Sequence, residues 1–153
     1  MALTDGDLAP DFDLPSDGGG RVRLQDFAGR KLVLYFYPKD DTSGCTAQAQ
    51  AFTAAAAEFA AAGAAVVGIS KDTPKKHEAF KKKYGLDLIL ASDESGEVLE
   101  RYGVWVEKSL YGRKYMGIER ATFLIGPEGR VLQAWRKVKV PGHAAAVLEA
   151  VRS

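Results

Sequence analysis

Residues 31–45 read KLVLYFYPKDDTSGC, an apolar and aromatic run that stops at Pro38 and is followed by a short polar loop. A continuous run such as 31–37 is typical of a strand buried on both faces, because a half-exposed strand would alternate apolar and polar residues. The stretch 45–62 is rich in alanine, contains no glycine or proline, and ends at Gly63, which predicts a helix. The chain therefore passes from a buried strand through a short loop into a helix.

A second buried strand is predicted directly after this helix, where residues 64–70 read AAVVGIS. Phe52 and Phe59 lie on one face of the helix, which favours a packed helix over a disordered alanine-rich segment. A strand, a helix and a second strand in this order imply parallel pairing of the two strands through a right-handed crossover.

The rest of the chain supplies further strands and helices around this unit. The patterns predict a hairpin of strands 11–14 and 20–24, a helix from Thr73-Pro74 to the stop at Gly85, a strand at 88–91, a helical turn at 94–102, an irregular segment at 104–117, antiparallel strands at 121–125 and 131–138, and a last helix at 142–151. This order predicts an α/β protein with a thioredoxin-like fold, in which helices flank a central mixed β-sheet and an N-terminal β-hairpin is added. Residues 1–153 are expected to form a single domain.

The charges of the chain nearly balance, since 21 lysine and arginine residues stand against 20 aspartate and glutamate residues, for a net charge of +1. This balance provides no general attraction to nucleic acid or to an anionic membrane, so neither partner is expected. No stretch approaches the ~20 apolar residues that span a bilayer, and residues 1–7 lack the pattern of a signal peptide. We therefore expect a cytoplasmic protein.

Cys45 is the single cysteine of the chain, and it lies where the predicted helix begins. Free backbone N–H groups and the positive end of the helix dipole favour thiolate over thiol at such a position. A lone cysteine forms no internal disulfide, which suits a reducing compartment. With only His77 and His143 as histidines, neither a metal site nor a cofactor is expected. Cys45 is the candidate nucleophile.

The motif around this cysteine has a known relative. The pattern PxxxTxxC, formed by Pro38, Thr42 and Cys45 after the YFYP strand, resembles the active-site loop of peroxiredoxins. The longer string YFYPKDDTSGCT resembles the bacterioferritin-comigratory, or Q-type, branch, and the similarity continues through residues 6–12, 103–105 and 115–120. The resemblance implies an enzyme that reduces hydrogen peroxide and organic hydroperoxides at Cys45, in antioxidant defence.

Peroxide chemistry gives Thr42 and Pro38 specific roles beside Cys45. A thiolate must attack one oxygen of the O–O bond, and the Thr42 hydroxyl can accept a hydrogen bond from the peroxide while it donates its own proton to the thiolate or to an oxygen. Pro38 would end the strand, fix the loop and cover the sulfur. The alternatives are an ordinary helix N-cap for Thr42 and a simple strand terminator for Pro38.

Arg120 enters through the resemblance, because members of the family carry an arginine at the start of the strand that here reads ATFLI. Its positive charge would stabilise the thiolate and the oxygen that leaves. The alternative is a surface ion pair with Glu119 or Asp93.

Other residues are weaker candidates for a role in catalysis or binding. His77 is predicted to be exposed on an amphipathic helix and not to act as a base. A basic face on the same helix is expected to be solvated, although it could attract an acidic reductant, and three aromatic residues of the irregular segment could line the substrate mouth or pack in the core. The basic face consists of Lys75, Lys76, Lys81, Lys82 and Lys83, and the aromatic residues are Trp105, Tyr111 and Tyr115.

The chain departs from the family where many members carry a second, resolving cysteine. That position five residues after the first cysteine is Gln50, and the alternative positions on the next helix are Phe80, Lys81 and Lys82. Ser43 also replaces a common proline, which should loosen the loop. The sulfenic acid on Cys45 must therefore be reduced by an external thiol such as thioredoxin, glutaredoxin or a low-molecular-weight thiol. The branch is often monomeric, so a monomer is expected.

Two alternatives remain open from the sequence. A thioredoxin-like redox sensor or holdase would use the same sulfenic acid without sustained turnover. Gln50 could also replace a cysteine of the natural protein, although serine or alanine is the customary replacement.

Overall fold

The apolar run after Lys31 forms the middle strand of a five-stranded sheet. The computed structural model describes residues 3–153. The strands are β1 (Asp13–Pro15), β2 (Arg21–Arg23), β3 (Lys31–Phe36), β4 (Ala64–Ser70), β5 (Ile89–Ser92), β6 (Trp105–Leu110), β7 (Arg113–Ile118), β8 (Ala121–Ile125) and β9 (Val131–Trp135). The helices are α1 (Ser43–Ala54), α2 (Ala56–Ala61), α3 (Pro74–Tyr84), α4 (Glu97–Arg101) and α5 (His143–Arg152).

The central sheet is mixed, in the order β5-β4-β3-β8-β9. β3 is parallel to β4, and β4 to β5, whereas β8 runs antiparallel to both β3 and β9. The strand-helix-strand unit and the thioredoxin-like arrangement predicted from the sequence are therefore confirmed. β1 and β2 form the predicted N-terminal hairpin as a separate two-stranded sheet.

Both faces of β3 are covered, which explains why its sequence does not alternate. Leu32, Leu34 and Phe36 point into a core formed with the N-terminal hairpin and α4. Val33 and Tyr35 point into a second core under the helices α1, α2, α3 and α5. Cys45 belongs to this second core, so the sheet and the helix together bury the thiol.

The helix predicted at 45–62 begins earlier and is interrupted. α1 starts at Ser43, and Ala55 separates it from α2, because its backbone (φ −98°, ψ 7°) leaves the helical region. The Ala55 N–H donates to the Phe52 carbonyl, an i→i+3 contact that tightens the turn. Phe52 and Phe59 are each 1 % exposed, and their rings pack at 5.8 Å.

The irregular segment predicted at 104–117 is a β-hairpin, so that prediction was wrong. β6 and β7 pair antiparallel from Trp105↔Ile118 to Leu110↔Arg113. Tyr111 and Gly112 form the two-residue connection with φ values of 50° and 78°, as a type I′ turn requires. Tyrosine is an unusual residue for this position, and the more familiar Asn-Gly or Asp-Gly signal was absent.

Trp105 packs against the first core, whereas the two tyrosines of this hairpin lie at the surface. Tyr111 is 98 % exposed at the tip, and Tyr115 is about half exposed. Trp105 is half-buried, with the ammonium of Lys71 placed 4.6 Å from its ring centroid. Among residues 3–153, none of the helices combines the length and the apolar character needed to cross a membrane.

Gly68 allows Tyr35 to lie flat across β4, and replacing it by alanine should destabilise the protein. A Cβ at Gly68 would stand 2.7 Å from the Tyr35 Cζ, and Tyr35 is confined between Tyr37 and Phe52. We expect Gly68→Ala to lower the free energy of unfolding by about 1–3 kcal/mol in urea denaturation. The control is Gly20→Ala, whose Cβ would have an ordinary contact at 3.4 Å and should cost no more than about 0.5 kcal/mol. Equal stability of the two variants would contradict this packing argument.

Candidate active site

The pairing of β3 with β8 brings two distant parts of the chain to one edge of the sheet. Phe36, the last residue of β3, lies opposite Ala121, the first residue of β8. Because the strands are antiparallel, Arg120 enters the sheet beside the point where residues 38–42 leave it. The loop, the first turn of α1 and Arg120 therefore meet there.

Cys45 occupies the first turn of α1. Thr42 is the N-cap residue, with extended backbone (φ −93°, ψ 156°), and its carbonyl accepts the first helical hydrogen bond from the Thr46 N–H at 2.8 Å. Cys45 is only 2 % exposed. The thiol thus lies at the positive end of the helix dipole and is shielded from bulk water.

Arg120 contacts the cysteine directly. Its Nη2 donates a hydrogen bond to the Cys45 Sγ at 3.4 Å, and its Nη1 donates to the Gln48 Oε1 at 2.5 Å. The two carboxylates considered as alternative partners are engaged elsewhere, since Glu119 pairs with Arg136 at 2.8 Å and Asp93 accepts from the Leu99 N–H at 2.9 Å. The guanidinium therefore contacts two residues one turn apart on α1, Cys45 and Gln48.

Gln48 was missed by the sequence reasoning. It is 1 % exposed, it lies one turn after Cys45 on α1, and its amide oxygen anchors Arg120. Its Nε2 is buried and has no hydrogen-bond partner among the described residues. The i, i+3 spacing from Cys45 is the signal that would have found it, because such residues share one face of a helix.

Gly44 allows this close approach. A Cβ at this position would stand 3.2 Å from the Arg120 Nη2, so a larger residue would crowd the guanidinium that contacts Cys45.

Thr42 and Pro38 lie on the exposed side of the loop. The Thr42 Oγ1 donates to the Lys39 carbonyl at 2.9 Å, which leaves the lone pairs of this hydroxyl available as acceptors. Thr42 is the N-cap residue by backbone geometry, but its side chain makes no capping hydrogen bond. Pro38 follows the buried Tyr37 and lies two residues after Phe36, the last residue of β3.

His77 is buried, so the prediction of an exposed residue was wrong. The side chain is 0 % exposed; its Nδ1 lies 2.6 Å from the Asp40 Oδ2, and its Nε2 lies 3.0 Å from the Ala91 carbonyl. α3 turns His77 and Phe80 toward the sheet, and the carboxylate of Asp40, in the loop between β3 and α1, makes burial of the imidazole tolerable. The i, i+3 spacing from Phe80 indicated this face.

Two of the five lysines on the basic face of α3 form ion pairs. Lys75, Lys76 and Lys82 are exposed. Lys81 forms an ion pair with Asp17 at 2.8 Å, and Lys83 forms one with Asp41, also at 2.8 Å. These contacts connect α3 to the N-terminal region and to the loop between β3 and α1.

Three residues near the loop are close enough to suggest a metal site. Asp40, Asp72 and His77 each place one potential ligand atom within 4.8 Å of the others. However, the nearest atoms are used in protein hydrogen bonds, because the Asp72 Oδ2 accepts from the Asp40 N–H at 2.8 Å and from the Ser70 hydroxyl at 2.7 Å. The cluster is a hydrogen-bonded network, and the expectation that no metal or cofactor is used stays a prediction.

The positions considered for a second cysteine offer no thiol. Gln50 is exposed on α1, Phe80 is buried under α3, and Lys81 is held by Asp17. Within these 153 residues, Cys45 is the one sulfur able to undergo thiol chemistry.

Comparison with known proteins shows the family to which the chain belongs. Residues 6–134 match the AhpC/TSA family. The chain belongs to this family. It is similar to peroxiredoxin Bcp of Bacillus subtilis, with 44 % identity over 152 residues that cover 99 % of this chain and 97 % of the relative.

Solved structures of the Q-type branch have the same fold as this AhpC/TSA chain. A mutant of Xylella fastidiosa PrxQ superimposes with a TM-score of 0.94 at 38 % identity, covering 99 % of this chain and 97 % of the other. The Xanthomonas campestris bacterioferritin comigratory protein, described for its alkyl peroxide reduction activity, gives a TM-score of 0.88 at 47 % identity, with coverage of 92 % and 90 %. The chain is thus a peroxiredoxin of the Bcp branch, an oxidoreductase that acts on peroxides with a thiol reductant, and the sensor alternative is not favoured.

The second histidine, His143, should make the stability of this peroxiredoxin depend on pH. Burial, and secondarily the charge of Arg120, lower the pKa of His143 from 6.5 to about 4. Its imidazole lies 2.8 Å from the Thr122 hydroxyl and packs edge-on against Trp135. Since the unfolded chain binds the proton at a higher pH than the folded one, this contribution to stability is lost as the pH falls from about 6.5 to 4.

We expect the free energy of unfolding to fall by about 2 kcal/mol more between pH 7 and pH 4.5 in the wild type than in His143→Gln. Urea denaturation of both proteins at a series of pH values gives the two profiles. Subtracting one profile from the other removes the contribution of the carboxylates, which both proteins share. Parallel pH profiles would contradict the assignment.

Proposed function

We propose that this chain is a one-cysteine peroxidase that reduces hydrogen peroxide and organic hydroperoxides at Cys45. The observation that carries the proposal is the contact of the Arg120 guanidinium with the single thiol of the chain, at 3.4 Å. The Cys45 thiolate attacks one peroxide oxygen, an S–O bond forms, the O–O bond breaks, and the other oxygen leaves as water or alcohol after taking up a proton. Cys45 becomes a sulfenic acid.

In this scheme Arg120 supplies the electrostatic part of catalysis. A fixed guanidinium stabilises the thiolate before attack and the negative charge that develops on the peroxide oxygens during attack. Gln48 holds the guanidinium from its other side, so the charge needs little reorganisation when the reaction occurs. Burial strengthens the effect, because the low local dielectric screens the charges less than water does.

Thr42 orients the peroxide. Since its proton is directed to the Lys39 carbonyl, the hydroxyl oxygen is free to accept a hydrogen bond from the O–H of a hydroperoxide. An acceptor at the N-cap of the helix that carries Cys45 would hold the substrate oxygen close to the sulfur. Pro38 would restrict the loop and keep water from the site.

The range of peroxides rests on the relatives. The Xanthomonas campestris structure concerns alkyl peroxide reduction, which supports organic hydroperoxides beside hydrogen peroxide as substrates.

The second half of the cycle requires another molecule. No thiol of this chain can condense with the sulfenic acid, so an external thiol forms a mixed disulfide with Cys45 and a second thiol resolves it. Thioredoxin, glutaredoxin or a low-molecular-weight thiol fits this role. A reducing, cytoplasmic compartment and a monomer that exposes its loop to the reductant are part of this proposal.

Replacing Cys45 by serine should abolish the reaction. We expect no peroxide-dependent NADPH consumption by Cys45→Ser in an assay with thioredoxin and thioredoxin reductase, against sustained turnover of the wild type. In the wild type, intact mass after graded peroxide should rise by about 16 Da and then by about 32 or 48 Da, because nothing traps the sulfenic acid internally. A serine variant that still consumed peroxide would refute the scheme, and a single stoichiometric event in the wild type would favour the sensor.

Arg120 can be tested with two substitutions that differ in charge. Arg120→Met removes the guanidinium and should slow the single-turnover reaction of Cys45 with hydrogen peroxide by about 10²–10³-fold. Arg120→Lys keeps a charge but cannot contact Cys45 and Gln48 together, so an intermediate loss is expected. Stopped-flow measurement of the peroxide step compares them. Wild-type rates in both variants would remove Arg120 from the mechanism.

A further inference from the structure

We propose that Asp40 and His77 form a buried latch that holds the catalytic loop (residues 38–42) on α3, and that this latch sets the balance between the two halves of the peroxidase cycle. The inference rests on the proposed function and deepens it. His77 and Asp40 touch neither substrate nor sulfur, so both are positioning residues.

The loop is attached to the rest of the protein through Asp40. The Asp40 Oδ2 lies 2.6 Å from the His77 Nδ1, the Oδ1 accepts from the Tyr37 hydroxyl at 2.5 Å, and the backbone N–H donates to the Asp72 Oδ2 at 2.8 Å. Every hydrogen-bonding group named here is buried. One loop residue thus joins the end of β3, the segment after β4 and the middle of α3.

The geometry defines how many protons the latch holds. The His77 Nε2 lies 3.0 Å from the Ala91 carbonyl, which can only accept, so Nε2 carries a proton. The contact between the His77 Nδ1 and the Asp40 Oδ2 then requires one further proton between them. Burial raises the pKa of the Tyr37 hydroxyl, which therefore remains a donor to Asp40. The pair shares one proton in either an imidazolium–carboxylate or an imidazole–carboxylic acid form.

The strength of the latch follows from its burial. The side chains of His77 and Asp40 are 0 % and 5 % exposed. Removal of one partner would leave the facing atom of the other buried and unpaired, because Tyr37 bonds only the Asp40 Oδ1 and Ala91 bonds only the His77 Nε2. Such a loss is far more costly than the loss of an exposed ion pair.

A second, exposed attachment lies beside the latch. Asp41 has a left-handed backbone (φ 61°), and its carboxylate accepts from the Lys83 ammonium at 2.8 Å and from the Tyr84 hydroxyl at 2.5 Å. The side chains of Lys83 and Asp41 are well solvated, so their ion pair should contribute little. Lys83 therefore provides a matched control, because it binds the same loop from the same helix without burial.

The loop and α3 are not packed continuously against each other. A cleft of about 250 Å³ lies between them. It is lined by Lys39, Asp40 and Asp41 of the loop, by Asp72 after β4, and by Lys76, Ala79, Phe80 and Lys83 of α3. Polar contacts, rather than an apolar interface, thus hold much of the loop in place. Its release would not require the sheet to open.

The two halves of the cycle make opposite demands on this loop. Peroxide attack needs Arg120 beside Cys45 and Thr42 at the start of the same helix. In the latched loop Arg120 contacts the Cys45 sulfur at 3.4 Å, and Thr42 is the N-cap residue of α1. Reduction needs a thiolate of the reductant to attack the Cys45 sulfur. An S–S bond forms, the S–O bond breaks, and the oxygen leaves as water after taking up a proton from the solvent. At 2 % exposure, the sulfur is out of reach of a thiol carried by a protein unless the loop moves. A tighter latch therefore favours oxidation, and a looser one favours reduction.

Two substitutions at His77 distinguish the loss of the Asp40 contact from the general effect of replacing a buried histidine. The amide of His77→Gln reaches the position of Nε2 and keeps the Ala91 contact but loses Asp40. The amide of His77→Asn reaches the position of Nδ1 and keeps Asp40 but loses Ala91. Lys83→Ala is the control on the exposed attachment.

Three rates are measured on each protein: alkylation of reduced Cys45 by iodoacetamide, oxidation of Cys45 by hydrogen peroxide in a single turnover, and reduction of the sulfenic acid by thioredoxin. In His77→Gln we expect alkylation to rise about tenfold, oxidation to fall about tenfold or more, and reduction to rise. His77→Asn and Lys83→Ala should remain within about threefold of the wild type in all three.

Several results would overturn the latch: wild-type rates in His77→Gln, equal effects of the Gln and Asn substitutions, or a parallel fall of oxidation and reduction, which indicates a merely structural role. If His77→Gln does not fold, the same three rates are measured on Asp40→Asn. The amide of this asparagine can donate a hydrogen bond to the Nδ1 of a neutral His77. Wild-type rates in Asp40→Asn support a geometric latch, and wild-type rates in Asp40→Ala contradict one. Alkylation needs no peroxidase activity, so it tests the latch even if the proposed function fails.

Discussion

The antiparallel pairing of β3 with β8 is the constraint on which the active site depends. β3 ends where the catalytic loop begins, and β8 begins directly after Arg120. The register that places Phe36 opposite Ala121 therefore brings a guanidinium to a cysteine 75 residues earlier in the chain. A shift of one residue would turn every side chain of β8 to the opposite face and would move Arg120 away from α1. Since Phe123 and Leu124 are buried on opposite faces of the sheet, apolar packing secures this register.

Burial of the reactive sulfur follows from the same architecture and has two consequences. Cys45 shares a core with Tyr35 and Phe52, so the field of Arg120 acts on it through a medium of low polarity. The same core closes the sulfur to large reactants. A buried sulfur can still meet a large reductant if the loop before α1 opens. This loop is held by a few polar contacts and not by the apolar core, so it can open without disrupting that core.

Much of the fold could be predicted from local patterns, whereas the site could be predicted only in part. The unbroken run of β3, the Thr73-Pro74 start of α3 and its Gly85 stop define their elements without reference to distant residues. The β6–β7 hairpin was missed because its turn uses Tyr111 where the usual residues are asparagine, aspartate or glycine. Propensity is a weak guide where tertiary contacts supply the stability.

The residues of the site that were missed, or that required the family resemblance, share a physical feature: their partners are distant in sequence. His77 looks like a surface residue between lysines, and its burial is explained only by Asp40, which lies 37 residues earlier. Arg120 has no local motif at all. Cys45, Thr42 and Pro38 could be identified from the local sequence, because the residues that form a helix N-terminus lie close together in the chain.

The absence of a second thiol changes what the catalytic loop has to do. In a protein with an internal resolving cysteine, loop movement would serve a partner fixed in the same chain, at an effective concentration set by the fold. Here Gln50 and the Lys81–Asp17 pair occupy the positions where such a partner would stand. Any opening of the loop therefore exposes the sulfenic acid to whatever thiol is present in solution, and also to further peroxide. A loop held closed by buried groups spends less time open than one held by an exposed ion pair. In the proposed scheme, the energy of the contact between Asp40 and His77 therefore sets how often the sulfenic acid meets a thiol or a second peroxide.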